Sequence, residues 1–140
     1  MDRMHAAWHS LLIGLPILLV HLALTTVLLL VGLGIYVKLA PVCEIALLRE
    51  GNLAVATVFS GQMLALAIPL SAMLVTSVNA PDIVLWGIVA VILQFIAISC
   101  LRMLWPGMPE RIARGEVAPA VVYACSQVVI GLLTAAAIAG

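Results

Sequence analysis

Residues 53–75 read LAVATVFSGQMLALAIPLSAMLV, an unbroken apolar run without one charged side chain. About 20 predominantly apolar residues suffice to cross a hydrocarbon core as a helix. Working outward, three more runs of similar character follow the same rule: Leu11–Val37, Ile83–Leu104 and Val117–Ala139. Together the four account for most of the 140 residues, and 66% hydrophobic against 9% charged composition agrees with them. The expected fold is all-α: a polytopic membrane protein of four transmembrane helices, forming one membrane domain over residues 1–140.

Composition closes off several classes of function. Lys plus Arg and Asp plus Glu each number six, so there is no basic face for nucleic acid. The segments outside the spans are too short to hold a catalytic domain. No Ser/His/Asp order, paired carboxylates or phosphate-cradling glycine loop stands out, and the reading is of a protein that is not an enzyme and carries no cofactor. Cys43, Cys100 and Cys125 lack metal or dithiol spacing and read as free thiols. His5 and His9, with Asp2, have the i, i+4 spacing of a metal pair, but a tail position makes a metal site the weaker reading.

Orientation follows from the basic residues. Lys38, Arg49, Arg102, Arg111 and Arg114 flank the first and third connections, against Arg3 alone at the other side. The positive-inside rule then places those connections in the cytoplasm and both termini outside. Trp8 and Trp86 are expected at the outer boundary, and Tyr36 and Trp105 at the inner one. Ser10, Asn52 and Asp82 precede apolar runs and read as N-caps.

The chain repeats itself. Shifted by 64 positions, Gly51-Asn-Leu-Ala-Val-Ala-Thr-Val-Phe59 lies over Gly115-Glu-Val-Ala-Pro-Ala-Val-Val-Tyr123. Each copy follows a short connection carrying an acid and bases: Glu44 with Arg49, then Glu110 with Arg111 and Arg114. Two helical-hairpin units result, about 11–75 and 83–139. Each holds an even number of spans, so the copies are expected to run parallel, about an axis along the membrane normal. The signature Gly51-Asn52, matched by Gly115-Glu116, is expected to break the connection and start the next span. The charged connections are read as solvated, or as a surface for a partner protein.

With Gly51-Asn52-Leu53-Ala54-Val55-Ala56 followed by Gly61, and the paired two-helix units around it, the chain resembles the YjfL-like small bacterial inner-membrane proteins. The resemblance runs from about Leu15 to Gly140. It implies the four-helix fold and an inner-membrane location, and it carries no established activity.

Inside the spans, small residues recur at helical spacing. Thr57, Gly61 and Ala65 form one stripe; Ala120 and Ala124, then Gly131 and Ala135, form another. Such stripes let backbones approach closely where no hydrophobic drive exists. The second and fourth spans are therefore the expected core, and the Leu-rich first span faces lipid. The stripes alone leave open whether they meet within one chain or between copies, and a homo-oligomer fits a chain with so little interior.

Gln62, Gln94 and Gln127 each stand about ten residues from the cytoplasmic end of a different span, ~15 Å deep at a rise of ~1.5 Å per residue. His21, Thr25, Ser60, Ser99 and Ser126 are candidates to extend this polar layer. The layer reads as an interhelical hydrogen-bond cluster or as the lining of a path for a polar solute. No carboxylate lies inside a span, which disfavours proton-coupled export. Two functional classes survive: a structural or accessory scaffold that forms an oligomer, and a small oligomeric channel or carrier for a neutral or weakly polar solute.

Overall fold

The computed structural model describes residues 2–140. Six helices follow in order: α1 (Asp2–Leu39), α2 (Glu44–Arg49), α3 (Leu53–Thr76), α4 (Ala80–Leu104), α5 (Met108–Ala113) and α6 (Val117–Ala139). Four of them, α1, α3, α4 and α6, are long and apolar enough to cross a membrane. The first and third connections are not open loops but are built around the six-residue helices α2 and α5. They gather at one end of the bundle, the short-helix end; the α3–α4 turn lies at the other, the turn end.

The helix starts correct two caps. Ser10 is an interior residue, because nothing between Asp2 and Leu39 breaks the helix and α1 runs through Pro16. Asp82 is not the cap of α4 either. Asn79 is, and its Oδ1 accepts from the Asp82 N–H at 3.1 Å, with Pro81 in the first turn where a missing donor costs little. Asn52 does cap α3, accepting from the Val55 N–H at 3.1 Å.

The two short-helix connections close alike. The Gly51 N–H donates to the Leu48 carbonyl and the Asn52 N–H to the Leu47 carbonyl; 64 positions on, Gly115 donates to Ile112 and Glu116 to Arg111. This is the hydrogen-bond pattern of a Schellman C-cap. Gly51 and Gly115 hold it with φ of 81° and 89°, a region that costs any residue with a Cβ.

The core is the parallel pair α3 and α6, and the small-residue stripes meet inside one chain. A Cβ built on Gly61 would stand 2.6 Å from the Ala124 Cβ, and one on Gly131 would stand 2.5 Å from the Ala65 carbonyl oxygen. Ala54, Ala65 and Ala120 are wholly buried in the same seam, while Thr57 and Ala135 lie half-buried at its edges. α4 and the second half of α1 pack outside this pair, with Leu66 and Val91 against Gly32, and Leu28 and Leu70 against Gly87.

The Leu28–Gly87 contact sets the register of α1. Counting back from it along both helices, the start of α4 at Ala80 is level with about His21. Every residue from Arg3 to Val20 is exposed. Trp86 is level with about Val27, so ~28 Å of helix rise separates Trp8 from that depth, and the two do not mark one boundary along a straight α1.

Candidate functional site

Gln62, Gln94 and Gln127 converge in the middle of the bundle, all at 1% exposure or less. α3, α4 and α6 each contribute one amide, since each places it nine or ten residues from the short-helix end. They do not form a side-chain ring. The single bond between them runs from Gln94 Nε2 to the Gln127 backbone carbonyl at 3.3 Å. Both polar atoms of Gln62, both of Gln127 and Oε1 of Gln94 are buried without a partner. A buried polar group left unpaired costs roughly 1–3 kcal/mol, so this layer is held together against its own electrostatics by the close packing of α3 on α6.

The hydroxyls expected to extend the layer do not. Ser99 and Ser126 bond back to the carbonyls of Phe95 and Val122 on their own helices, and Ser60 is exposed. Thr25 is buried but donates to the His21 carbonyl at 2.7 Å. His21 is half-buried near the turn end, away from the amides. His5 and His9 are exposed on α1, and the side chain of Asp2 lies outside the described residues. Among the described residues no three His, Cys, Asp or Glu side chains gather as a metal site would need.

A second buried polar group lies at the short-helix end, and three of its four members carry no sequence signal that marks them as a site. Glu44, expected to be a solvated charge, is 7% exposed. Its Oε1 accepts from the Tyr36 hydroxyl at 2.9 Å, and its Oε2 has no partner. Tyr36 is likewise buried, against Phe59 with ring centroids 6.5 Å apart, and is no interfacial anchor. Arg102 from α4 and Tyr123 from α6 line the same cavity of about 20 Å³. One Arg102 nitrogen donates to the Leu39 carbonyl at 3.1 Å, while its buried Nε is unpaired. The cause is chain geometry. The short link after Leu39 folds α2 back beneath α1, which carries Glu44 under Tyr36, whereas a reading by hydropathy ends each span at its boundary and leaves both charges in water.

Burial pushes the Glu44 carboxyl above the usual carboxylate range, with the Tyr36 hydrogen bond and the Arg102 charge pulling it back. A carboxyl raised in the folded state contributes stability that is complete below the unfolded pKa, about 4.3, and is lost as pH rises through the folded value. Glu44→Gln keeps an acceptor for Tyr36 and removes the charge. The stability of the parent minus that of Glu44→Gln should therefore fall as pH rises from about 4 through the raised folded pKa. Thermal unfolding in detergent across that range would show it, and a difference that grows with pH would contradict it.

The other predicted charges take different partners. Glu116 occupies the cap position of α6 but makes no capping bond. Instead Arg111 and Arg114 donate to its two carboxylate oxygens at 2.7 and 3.2 Å, and the Arg111 bond holds its carboxyl below the usual range. Glu110 and Arg49 are exposed, with no ion pair among the described residues.

Asn52 does more than cap. Its Nδ2 donates to the Ala113 carbonyl at 2.9 Å, tying the start of α3 to the end of α5 across the two halves of the chain. Serine can replace only the cap, and aspartate puts a carboxylate oxygen where the donor was. Asn52→Ser should cost ~1 kcal/mol, and Asn52→Asp and Asn52→Leu more, in detergent unfolding curves. An Asp variant as stable as the parent would show that the tie to Ala113 contributes nothing.

The family model described as Domain of Unknown Function (DUF350) matches residues 10–138. Two curated relatives, both named UPF0719 inner membrane protein YjfL, come from Escherichia coli (strain K12) and Escherichia coli O157:H7. Each is 31% identical over 104 residues, covering 74% of this chain and 79% of the relative. No solved structure matches.

Proposed function

This chain belongs to the DUF350 family and is a multi-pass inner-membrane protein, and from that premise we propose that it is a structural or accessory scaffold, not an enzyme, that assembles as a homo-oligomer. One observation carries this reading. α1 has 38 residues, ~57 Å of rise, where its neighbours have 23–25. Its first half, including the apolar run Leu11–Val20, is exposed at every residue from Arg3 to Val20. An apolar helix that outruns its own bundle is suited to packing on a second copy. The sealed interior supports the same reading, because α3 and α6 meet at backbone contact beside the glutamines.

Ile13→Cys in a background with Cys43, Cys100 and Cys125 replaced by serine should crosslink α1 to α1 in native membranes. A chain that stays monomeric in lipid at every density tested would overturn the scaffold reading. Within the oligomer the short-helix ends, with Arg49, Glu110, Arg111 and Arg114 exposed, would meet a partner protein.

The same proposal includes parallel hairpin repeats about an axis along the membrane normal, supported by the matching closures at Gly51 and Gly115. It puts both termini on the periplasmic side. Cysteines placed by Asn79→Cys and Met108→Cys should label from opposite faces. Labelling of the Met108 position from outside intact cells would reverse the orientation.

The alternative, an oligomeric channel or carrier for a neutral or weakly polar solute, is favoured by the unpartnered amide atoms of Gln62 and Gln127 at mid-depth. Flux of ions and small solutes in proteoliposomes separates the two readings.

A further inference from the structure

A groove of about 640 Å³ lies at the turn end, bounded by the ends of α3 and α6 and the first half of α4. Its volume falls in the range of ligand sites, ~300–1,000 Å³, and it is separate from the glutamine layer and from the Tyr36–Glu44 group. Its polarity is graded along the membrane normal. Thr76, Ser77 and Asp82 line the mouth, and Val89, Leu93 and Leu133 line the deeper part, where Thr134 is the one polar side chain. From Asp82 to Leu93 is ~16 Å of helix rise, close to the ~15 Å of one leaflet's hydrocarbon. The depth and gradient thus match one amphiphile standing upright in a leaflet.

The mouth also carries a sign. Among the described residues Asp82 is the sole charged one lining the groove, and no basic residue occurs in the turn from Thr76 to Asp82. The Asp82 backbone N–H is taken by the Asn79 cap. Its half-buried carboxylate has no hydrogen bond or ion pair among the described residues. A carboxylate at the rim of an apolar, leaflet-deep groove is complementary to a cationic headgroup above an acyl chain.

We propose that this groove binds one membrane lipid whose headgroup bears a primary ammonium, the N–H donors meeting Asp82 and the acyl chain lying along α4 and α6. A choline headgroup has the charge without the donors and is the discriminating comparison. Trp86 lines the groove and supplies the reporter.

The experiment uses the full chain with Trp8→Phe and Trp105→Phe, reconstituted in phosphatidylcholine vesicles. These contain a fixed fraction of brominated-chain phosphatidylethanolamine or brominated-chain phosphatidylcholine. Quenching of Trp86 should report binding of the ethanolamine lipid about fivefold tighter, the ratio corresponding to one added hydrogen bond, since both headgroups carry the positive charge. Asp82→Asn should abolish that preference and Asp82→Glu should retain it, with unchanged helical circular dichroism marking both variants as folded. Equal quenching by the two lipids in the parent, or a preference that survives Asp82→Asn, would overturn the proposal.

Discussion

Replacing Gly131 by valine should separate α6 from α3 and lower the unfolding temperature of the bundle sharply. A Cβ at this position would be 2.5 Å from the Ala65 carbonyl oxygen and 2.9 Å from the Ala65 Cα. Both are backbone atoms, so relief requires a helix to move. Overpacking a close-packed interior costs ~1–3 kcal/mol and occasionally more. Here the larger cost follows from what the seam holds. In a bilayer no hydrophobic force draws helices together, and van der Waals packing along a small-residue seam is the main source of association. Moving α6 also breaks the bond that its Gln127 carbonyl accepts from Gln94. Gly34→Val is the control, because nothing lies within 4 Å of a Cβ there. Equal loss of thermal stability in the two variants would mean that the α3–α6 seam does not organise the fold.

The helices and their core are legible in the sequence because two strong signals point the same way. Apolar length marks the spans to within a few residues at α3, α4 and α6, and the stripes at Gly61, Ala65, Ala124 and Gly131 mark the faces that touch. The start of α1 is not legible in this way, because polar residues such as His9 and Ser10 lower the hydropathy without breaking the helix. The glutamine depth is readable from residue counts alone. Their pairing is not, since partner choice depends on rotation about each helix axis. The Tyr36–Glu44 pair is hidden for another reason. Charge and hydropathy are read one position at a time, while its burial comes from a tight reversal that brings residues eight positions apart into contact. Asn52 shows the intermediate case, because its cap is a local property of the residue type and its bond to Ala113 spans 61 positions.

Gln62→Leu should raise stability, while Gln94→Leu should bring no comparable gain, although the two residues sit in one layer with nearly the same burial. Gln62 has two buried polar atoms and no partner for either, so leucine removes a penalty of roughly 1–3 kcal/mol and gives up no bond. Gln94 has one unpaired atom, Oε1, but its Nε2 donates to the Gln127 carbonyl, so its replacement removes one penalty and forfeits a contact worth ~0.6–2 kcal/mol between membrane helices. A gain at Gln62 without a matching gain at Gln94 is the expectation for a dry, structural layer in which one amide nitrogen alone finds a backbone carbonyl. Unfolding curves in detergent give the difference directly, and flux in proteoliposomes adds the functional half. If Gln62→Leu instead destabilises, or leaves assembly intact and abolishes a solute flux present in the parent, the unpaired amide atoms of Gln62 are serving water or solute. The channel reading then displaces the scaffold, because the same two atoms that burden a sealed interior are the ones a solute passing mid-membrane would meet.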